Sequence, residues 1–405
     1  MLKLSLIHIF HGNTVAVVSA GVMLFAVAAY CAQAKFGPRR IAFQINKKSL
    51  TICRSLEIQR WKLLLVLIFN ICVIILVSRE VARVVSGYGY SGTIFYLMGR
   101  YANLNKYTTD NVALNSWVQL CYTVCKGCGY IWGYVLMNQL ALRRKINKLL
   151  LLCYVSSLAS CLLTGSRTIF LYSLLGLLPA YLINRVGVTG KIKTEFRSII
   201  KIVGVVFLVF ISFMSLGQLI GRVAEQYDFF SYIEAYLGAP LANLDQFLQK
   251  THSSPKWWGY NTFGFQYNYL GAKLGRPEWK YVLDLPEIRY GTVTKSNVYT
   301  TFYAFIYDFG YLGMVLVPIM GFLMGWLYKK ANQGAYDEIT ISKMLYTYEF
   351  SCVMFCFFSN RIYESFTITI VRFVLIWMAA KYFIFDSRLD KLQQKSFADK
   401  INERS

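Results

Sequence analysis

The sequence is short of charged residues. Only 16% of its 405 residues are Asp, Glu, Lys or Arg, whereas 56% are hydrophobic and the mean hydropathy is +0.43. A soluble domain carries about 25% charged residues. The shortage excludes a cytosolic enzyme, a secreted disulfide scaffold and a disordered tail protein. Long apolar runs along the whole chain indicate a polytopic membrane protein instead.

Metal-ligand and disulfide patterns are scarce as well. No two of the three histidines are placed to form a ligand cluster, and none of the ten cysteines falls in a predicted external loop, so no disulfide framework is indicated. Cys121, Cys125 and Cys128 resemble metal ligands in spacing, but they lie in an apolar run without a nearby histidine, and we interpret them as helix-packing residues. We therefore expect no metal and no cofactor.

Nine apolar runs are near the length of about 17–25 residues that crosses a bilayer as a helix. They cover residues 13–33, 61–78, 113–140, 148–164, 167–184, 198–221, 310–328, 343–359 and 366–385. The first ten residues lack the pattern of a signal peptide, so we expect the first span to be retained. The predicted fold class is an all-α polytopic membrane protein with about nine to eleven transmembrane helices.

The net charge of +23 follows the predicted topology. Alternate loops on one side hold 26 Lys and Arg residues against 14 on the other, and most of the 14 lie in one long loop. Long loops cross a membrane regardless of charge, so the bias of the short loops places the first set in the cytoplasm. The N-terminus is then external and the C-terminus cytoplasmic, and no nucleic-acid partner is needed to explain the basic balance.

The spans divide the chain into four parts. Residues 1–221 hold six transmembrane helices, 222–309 form a large external loop, 310–385 hold three more helices, and 386–405 form a cytoplasmic tail. The loop has 22 aromatic residues among 88, which is too many for a disordered segment. Apolar residues at helical spacing in 229–237 predict an amphipathic helix along the membrane surface.

Two interpretations remain open for the loop aromatics. Trp257, Trp258 and Tyr260 could lie at headgroup level as an interfacial belt. They could instead stack on the apolar faces of sugar rings. For a single residue the belt is the better interpretation, whereas for the loop as a whole we favour a glycan-binding groove.

Several charged residues lie at or just inside the external boundary. Arg167 is in the turn between two spans, Asp308 precedes the seventh span, Arg361 and Glu364 fill the turn between spans eight and nine, and Arg372 lies about two turns deep. Charged groups at bilayer depth are expensive and often functional. The alternatives are an i, i+3 ion pair or headgroup contact for Arg361 and Glu364, and a structural pair closing a hairpin for Arg167 and Asp308.

External arginines are not explained by a positive-inside bias. They are Arg83, Arg100, Arg167, Arg276, Arg289 and Arg361. A guanidinium binds phosphate bidentately and stays charged at any accessible pH. If several of them converge on one cavity, they form a diphosphate site.

Glycine pairs four residues apart predict close helix packing. They are Gly129 with Gly133, Gly217 with Gly221, and Gly321 with Gly325.

Four segments together resemble a known family. They are LTGSRT at 163–168 after a short span, GYNTF at 259–263 in the long loop, SNVYT at 296–300, and YDFGYLG at 307–313 before a glycine-rich span. This pattern is similar to the Wzy-type polymerases of O-antigen and capsule repeat units, over roughly residues 150–330. The rest of the chain resembles them only in hydropathy.

The resemblance implies a metal-independent glycosyltransferase with a helical fold similar to the membrane-embedded (GT-C-like) class. It would transfer a growing glycan from undecaprenyl diphosphate to the non-reducing end of a new lipid-linked repeat unit. The expected location is the bacterial inner membrane, with the active site facing the periplasm and membrane lipid and a possible chain-length regulator protein as partners. Arg167 matches the family's functional arginines by motif, whereas Arg276 and Arg289 match only by lying in the corresponding loop.

The chemistry suggests further roles. Arg83 and Arg361 join the other arginines as diphosphate ligands, because a departing diphosphate needs preorganised cations when no metal is present. The acceptor hydroxyl needs a base, for which Asp308 is the first candidate and Glu364 and Glu225 are the runners-up. Side chains expected to orient or bind the glycan are Asn297, Tyr299, His252, Trp257, Trp258 and Tyr260.

Two other functions compete with a polymerase. An O-antigen ligase would have a similar layout and similar arginines, and only the acceptor would differ. A flippase for lipid-linked oligosaccharides should show internal repeats and ionisable residues near the midplane. The sequence has no visible repeat and its charges cluster at one face, which favours an enzyme.

Overall fold

The structure is a computed structural model of the chain. It describes residues 10–34, 55–108, 112–189, 229–250, 255–281, 285–286, 288–290, 294–333 and 338–385, with isolated positions 204, 211, 215 and 217. Side chains are described from residue 237 onward in the 229–250 segment, and not for residues 288–290 and 294–296.

Helices dominate the described part of the chain. Helices α1 to α7 cover Gly12–Gln33, Arg60–Ser86, Ile94–Tyr107, Ser116–Ala141, Lys148–Leu162, Arg167–Leu175 and Leu177–Thr189. Helices α8 to α14 cover Phe229–Leu248, Gly264–Leu274, Thr301–Phe309, Leu316–Ala331, Ile341–Met354, Arg361–Ser365 and Ile368–Ala380. Short 3₁₀ segments lie at Pro277–Trp279 and Gly310–Val315, and a π turn lies at Lys381–Phe385. Strands β1 (Ile288–Tyr290) and β2 (Thr294–Ser296) form one antiparallel hairpin.

Four described helical segments are long and apolar enough to cross a membrane: Gly12–Gln33, Arg60–Ser86, Arg167–Val188 and Thr301–Ala331. They indicate a membrane protein and confirm the coarse prediction of a helical membrane fold. Helix α4 is long but polar in places, and α12 and α14 have only 14 and 13 residues. The predicted span 198–221 lies outside the continuously described residues. The count of nine to eleven spans stays a prediction.

Two helical segments depart in detail from the predicted boundaries. The helical segment that was expected to begin at residue 310 begins at Thr301, because the aromatic stretch TFYAFIYDF has a continuous buried face and folds as α10. Gly310, with φ +60°, then joins α10 to the 3₁₀ segment and α11. The predicted span 167–184 is interrupted at Gly176, which separates α6 from α7.

Small residues bring helices together. A Cβ atom on Gly321 would lie 2.3 Å from the carbonyl oxygen of Phe25, and one on Gly325 would lie 2.2 Å from that of Ala29. Helix α11 therefore packs against α1 at backbone distance, which confirms the packing prediction for this glycine pair. At Gly133 a Cβ would lie 2.8 Å from Leu177.

Helix α4 lies at the centre of the main core. Its buried Trp132 and Tyr134 pack among residues of α5, α6, α12 and α14. The thiol of Cys125 is buried between α2, α4 and α5, 3.2 Å from Asn70 Oδ1 and 3.3 Å from Ser160 Oγ. Among the described residues no three His, Cys, Asp or Glu side chains are grouped as metal ligands. The burial of Cys125 between α2, α4 and α5 supports the interpretation of this cysteine as a helix-packing residue.

Candidate functional site

The turn at residues 257–263, which we call the aromatic turn, lies against α10 and the segment before β1. The ring of Trp258 is 4.9 Å from that of Phe309, and the ring of Tyr260 is 4.9 Å from that of Tyr281. Trp257 packs edge-on against Tyr260 at 4.8 Å. These contacts join the aromatic side chains of the turn, of α10 and of Tyr281 in one compact cluster.

Asp308 holds the aromatic turn in place. Its Oδ1 accepts a hydrogen bond from the backbone N–H of Asn261 at 3.2 Å, and its Oδ2 accepts one from Thr262 at 2.6 Å. The side chain is buried, with 8% of its surface exposed. From the other side, Asn360 Nδ2 donates to the carbonyl of Thr262 at 3.0 Å. Asp308 therefore has a structural role in the turn, through backbone amides rather than through the predicted hairpin-closing pair, and its role as a base stays a prediction.

The short helix α13 carries an ion pair. Nη1 of Arg361 donates to Oε2 of Glu364 at 2.7 Å, and the hydroxyl of Ser359 donates to Oε1 of Glu364 at 3.1 Å. This is the i, i+3 pair that the sequence allowed. Burial alone would lower the pKa of Arg361, but the charge and hydrogen bond of Glu364 act together with Tyr172 and Cys352, and the pKa is raised overall. Arg361 also lies within electrostatic range of Tyr172 on α6.

Hydrogen bonds tie the helix after the aromatic turn to α13. Nε2 of Gln266 donates to the carbonyls of Tyr363 at 2.5 Å and Phe366 at 2.9 Å. Burial raises the pKa of Tyr281, and the negative charges of Glu364 and Asp308 raise that pKa further. Asp308 and Glu364, which are 56 residues apart in sequence, thus act on the same tyrosine.

Polar atoms without partners gather at this end of the bundle. Four are buried side-chain atoms with no hydrogen-bond partner among the described residues: Nε1 of Trp257, Oε1 of Gln266, Oγ1 of Thr300 and Nε of Arg361. Buried polar atoms are nearly always satisfied in folded proteins, so these four atoms are candidate contacts for a polar ligand or water. We call the aromatic turn, α13 and these atoms the external site.

Arg167 begins α6, at the end of the turn 163–166. It is buried, with 8% of its surface exposed. Gly165 makes the turn possible, since it has φ +66° and a Cβ there would lie 2.2 Å from the carbonyl oxygen of Met98. The hydroxyl of Thr164 lies 3.1 Å from that of Tyr122 on α4. Arg167 lies five residues before Tyr172 on α6, and Tyr172 is the α6 residue within electrostatic range of Arg361.

Two other predicted arginines do not join this group. Arg83 is exposed and pairs with Glu80 at 2.7 Å on its own helix, and Arg276 is exposed and pairs with Glu278 at 3.6 Å. Exposed pairs keep guanidinium groups hydrated, which is cheaper than burying them together. Among the described contacts neither touches α13. Their role as diphosphate ligands stays a prediction that this geometry does not favour.

The predicted glycan-binding residues divide into packed and open ones. Trp258 is 69% exposed and presents a free ring face. Tyr260 is buried, and so is Tyr299, whose hydroxyl donates to the carbonyl of Pro286 at 3.0 Å and whose pKa burial raises to about 12. Asn297 is partly buried just before α10.

The remaining predicted residues lie outside the described side chains. The position of His252 and the side chain of Arg289 are outside them, as is the runner-up base Glu225. Conversely, sequence reasoning missed Gln266, Thr300 and Asn360. The signal for them was modest: each is a polar residue in a stretch of mainly apolar or aromatic ones.

Comparison with known proteins adds no relative to this description. No protein-family model, no curated protein and no solved structure matches the chain. The functional assignment therefore depends on the residues and on the geometry of the external site.

Proposed function

We propose that the protein is a membrane-embedded glycosyltransferase that polymerises oligosaccharide repeat units carried on undecaprenyl diphosphate. It would transfer the growing glycan from its lipid diphosphate to the non-reducing end of a new lipid-linked unit. The family resemblance of residues 150–330 suggests this reaction. The proposed location is the bacterial inner membrane with the external site on the periplasmic side, and a chain-length regulator is a possible partner.

The proposal rests on one observation, the fixed and partly unpartnered guanidinium of Arg361. Its guanidinium is held by Glu364 at the tip of two helices, only 23% of the side chain is exposed, and its buried Nε–H has no hydrogen-bond partner among the described residues. A fixed cation with a spare donor suits an anionic oxygen better than it suits water or apolar lipid. A diphosphate placed there would be close to α6 and to the aromatic turn.

The reaction needs charge stabilisation and a base. The acceptor hydroxyl forms a bond to the anomeric carbon and gives its proton to a carboxylate, while the bond from that carbon to the diphosphate oxygen breaks and leaves its electron pair on the diphosphate. In our proposal Arg361 and Arg167 stabilise that developing negative charge. Glu364 and Asp308 are the candidate bases, because each carboxylate oxygen can accept one more hydrogen bond than it already does. Trp258 offers a ring face for the sugar.

The test is chain extension by the purified full-length protein with one synthetic lipid-linked repeat unit. We expect a ladder of longer products from the wild type, a loss of at least about a hundredfold in Arg361→Gln, and wild-type activity in Arg144→Gln. Arg144 pairs with Glu57 on the surface at the end predicted to be cytoplasmic, so it is a matched control for loss of one arginine. A ladder from Arg361→Gln equal to that of the wild type would overturn the assignment of this residue.

A second acceptor separates the polymerase from a ligase. If the protein transferred glycan only when lipid A core was added and never lengthened the lipid-linked chain, the polymerase proposal would be wrong and the ligase would replace it.

A further inference from the structure

Lys126 is a buried cation that the external site does not use. It lies in the middle of α4 with 7% of its surface exposed, and its ammonium is 3.9 Å from the ring centroid of Tyr122. No carboxylate among the described residues forms an ion pair with it. The thiols of Cys125 and Cys161 and the guanidinium of Arg372 lie within electrostatic range of this ammonium. A fully buried ammonium with only a π face as partner is far from satisfied.

Arg372 on α14 is a second cation within electrostatic range of Lys126. Helix α14 packs directly on α4 there, since Nε1 of Trp377 donates to the carbonyl of Gly127 at 2.9 Å and a Cβ on Gly127 would lie 3.1 Å from the ring of Phe373. Lys126 and Arg372 each precede one of these contact residues, and their charges repel. Among the described residues, Arg372 also has no ion pair or hydrogen bond. We call the two residues the lateral cation pair.

The lateral cation pair lies inside the ends of its two helices, with Lys126 ten residues after the first residue of α4 and Arg372 four residues after the first residue of α14. Four residues, or about 6 Å of rise, separate Lys126 from Tyr122, whose hydroxyl contacts Thr164 in the external turn. The same number of residues separates Arg372 from Ile368 at the start of α14. Each cation is therefore about one helical turn from a residue at the predicted external end of the bundle, on the side of the outer leaflet.

Arg372 is the member of the pair that lies nearer the outside of the bundle, since its side chain is partly exposed whereas Lys126 is buried. Its neighbours on α14 include Val371 and Leu375, whose side chains are 50% and 56% exposed. These exposed apolar groups form the surface that acyl chains would cover. An anion that reaches the pair across this apolar surface would therefore belong to the headgroup of a lipid. The groups around Arg361 belong to α6, α12 and α13 instead, so the two places are separate.

We propose that Lys126 and Arg372 bind the phosphate of a lipid that lies between α4 and α14 in the outer leaflet. A buried ammonium beside a partly buried guanidinium is unfavourable alone, and a phosphate with up to two negative charges compensates both cations. A phospholipid headgroup and a polyprenyl diphosphate present the same chemistry here. The inference does not require polymerase activity, since it concerns binding alone.

Lipid binding by the purified full-length protein tests the proposal. The probes are fluorescent polyprenyl diphosphate, phosphatidylglycerol and uncharged polyprenol, titrated in detergent without any sugar donor. We expect Lys126→Met and Arg372→Gln each to raise the Kd of at least one phosphorylated lipid about tenfold or more. Polyprenol should bind equally to all variants, Lys126→Arg should restore most of the affinity, and the surface control Arg144→Gln should bind as the wild type does.

The pattern of losses identifies the lipid. A loss confined to polyprenyl diphosphate assigns the pair to the carrier, and a loss confined to phosphatidylglycerol assigns it to a membrane phospholipid. Unchanged Kd values for both phosphorylated lipids, or an equal loss for polyprenol, would overturn the proposal. Thermal unfolding without lipid guards against misfolding, because removing one of two repelling charges should leave Tm unchanged or raise it. Chain extension measured in parallel fails or succeeds independently of these Kd values.

Discussion

Replacing Asp308 by Asn should loosen the aromatic turn. The carboxylate accepts from two backbone amides, that of Asn261 at 3.2 Å and that of Thr262 at 2.6 Å. Asparagine keeps one acceptor oxygen and turns an NH₂ group toward the other amide. One charge-assisted hydrogen bond is lost and a buried donor is left without a partner, which costs about 1.5–3 kcal/mol.

This loss of free energy should appear as faster hydrogen exchange of the backbone amides in the turn. If the turn opens locally, amides in the 257–267 peptide should exchange about 10–150 times faster, at about 1.4 kcal/mol for each factor of ten. Exchange followed by mass spectrometry on the purified protein measures the change. Glu278→Gln is the control, because Glu278 pairs with Arg276 on the surface and does not touch the turn.

The same variant separates a structural from a catalytic role. If Asp308 only holds the turn, exchange accelerates and chain extension falls mainly through a higher KM. If exchange in 257–267 is unchanged while kcat collapses, the hydrogen bonds to Asn261 and Thr262 do not stabilise the turn and Asp308 is the base. Unchanged exchange together with unchanged activity would refute both roles.

Other predictions address the remaining features. Arg167→Gln should abolish chain extension while protein level and membrane insertion stay normal, and long glycan from that variant would remove Arg167 from the site. Trp258→Ala should raise the KM for the lipid-linked glycan about tenfold, because it removes one ring-stacking contact with the sugar. Its Tm should change little, because Trp258 is 69% exposed, and an unaltered KM would contradict glycan stacking. Gly325→Val should lower Tm, because the added side chain meets the backbone of Ala29, and overpacking costs about 1–3 kcal/mol; Gly12→Ala, with no neighbour in reach, is the control. Chain extension should persist in excess chelator, and loss with rescue by a divalent cation would contradict a metal-independent reaction.

Helical segments were predictable where one physical signal dominates. Uniformly apolar runs identified α1 and α2, and glycine spacing identified the contact of α11 with α1. The ion pair of Arg361 with Glu364 followed from i, i+3 spacing. These features are local or repeat along one helix, so a single sequence carries them.

Long-range partners were not predictable in the same way. The charge of Asp308 at the edge of a span predicts a catalytic role. It does not indicate the backbone amides that Asp308 binds, which lie 46 and 47 residues earlier. Lys126 and Arg372 are 246 positions apart, and no pattern in the sequence brings them together. By composition alone, the aromatic residues of 301–309 extend the aromatic-rich external loop. Only their spacing, which places them on one buried helical face, indicates α10.

The contact of α1 with α11 also constrains how the chain is assembled. The carbonyl oxygens of Phe25 and Ala29 meet glycines about 300 residues later in the sequence. At a synthesis rate of about 5–20 residues per second, the first helix leaves the ribosome roughly 15–60 s before its partner does. During that interval the face of α1 that later meets α11 is in contact with lipid or with the insertion machinery.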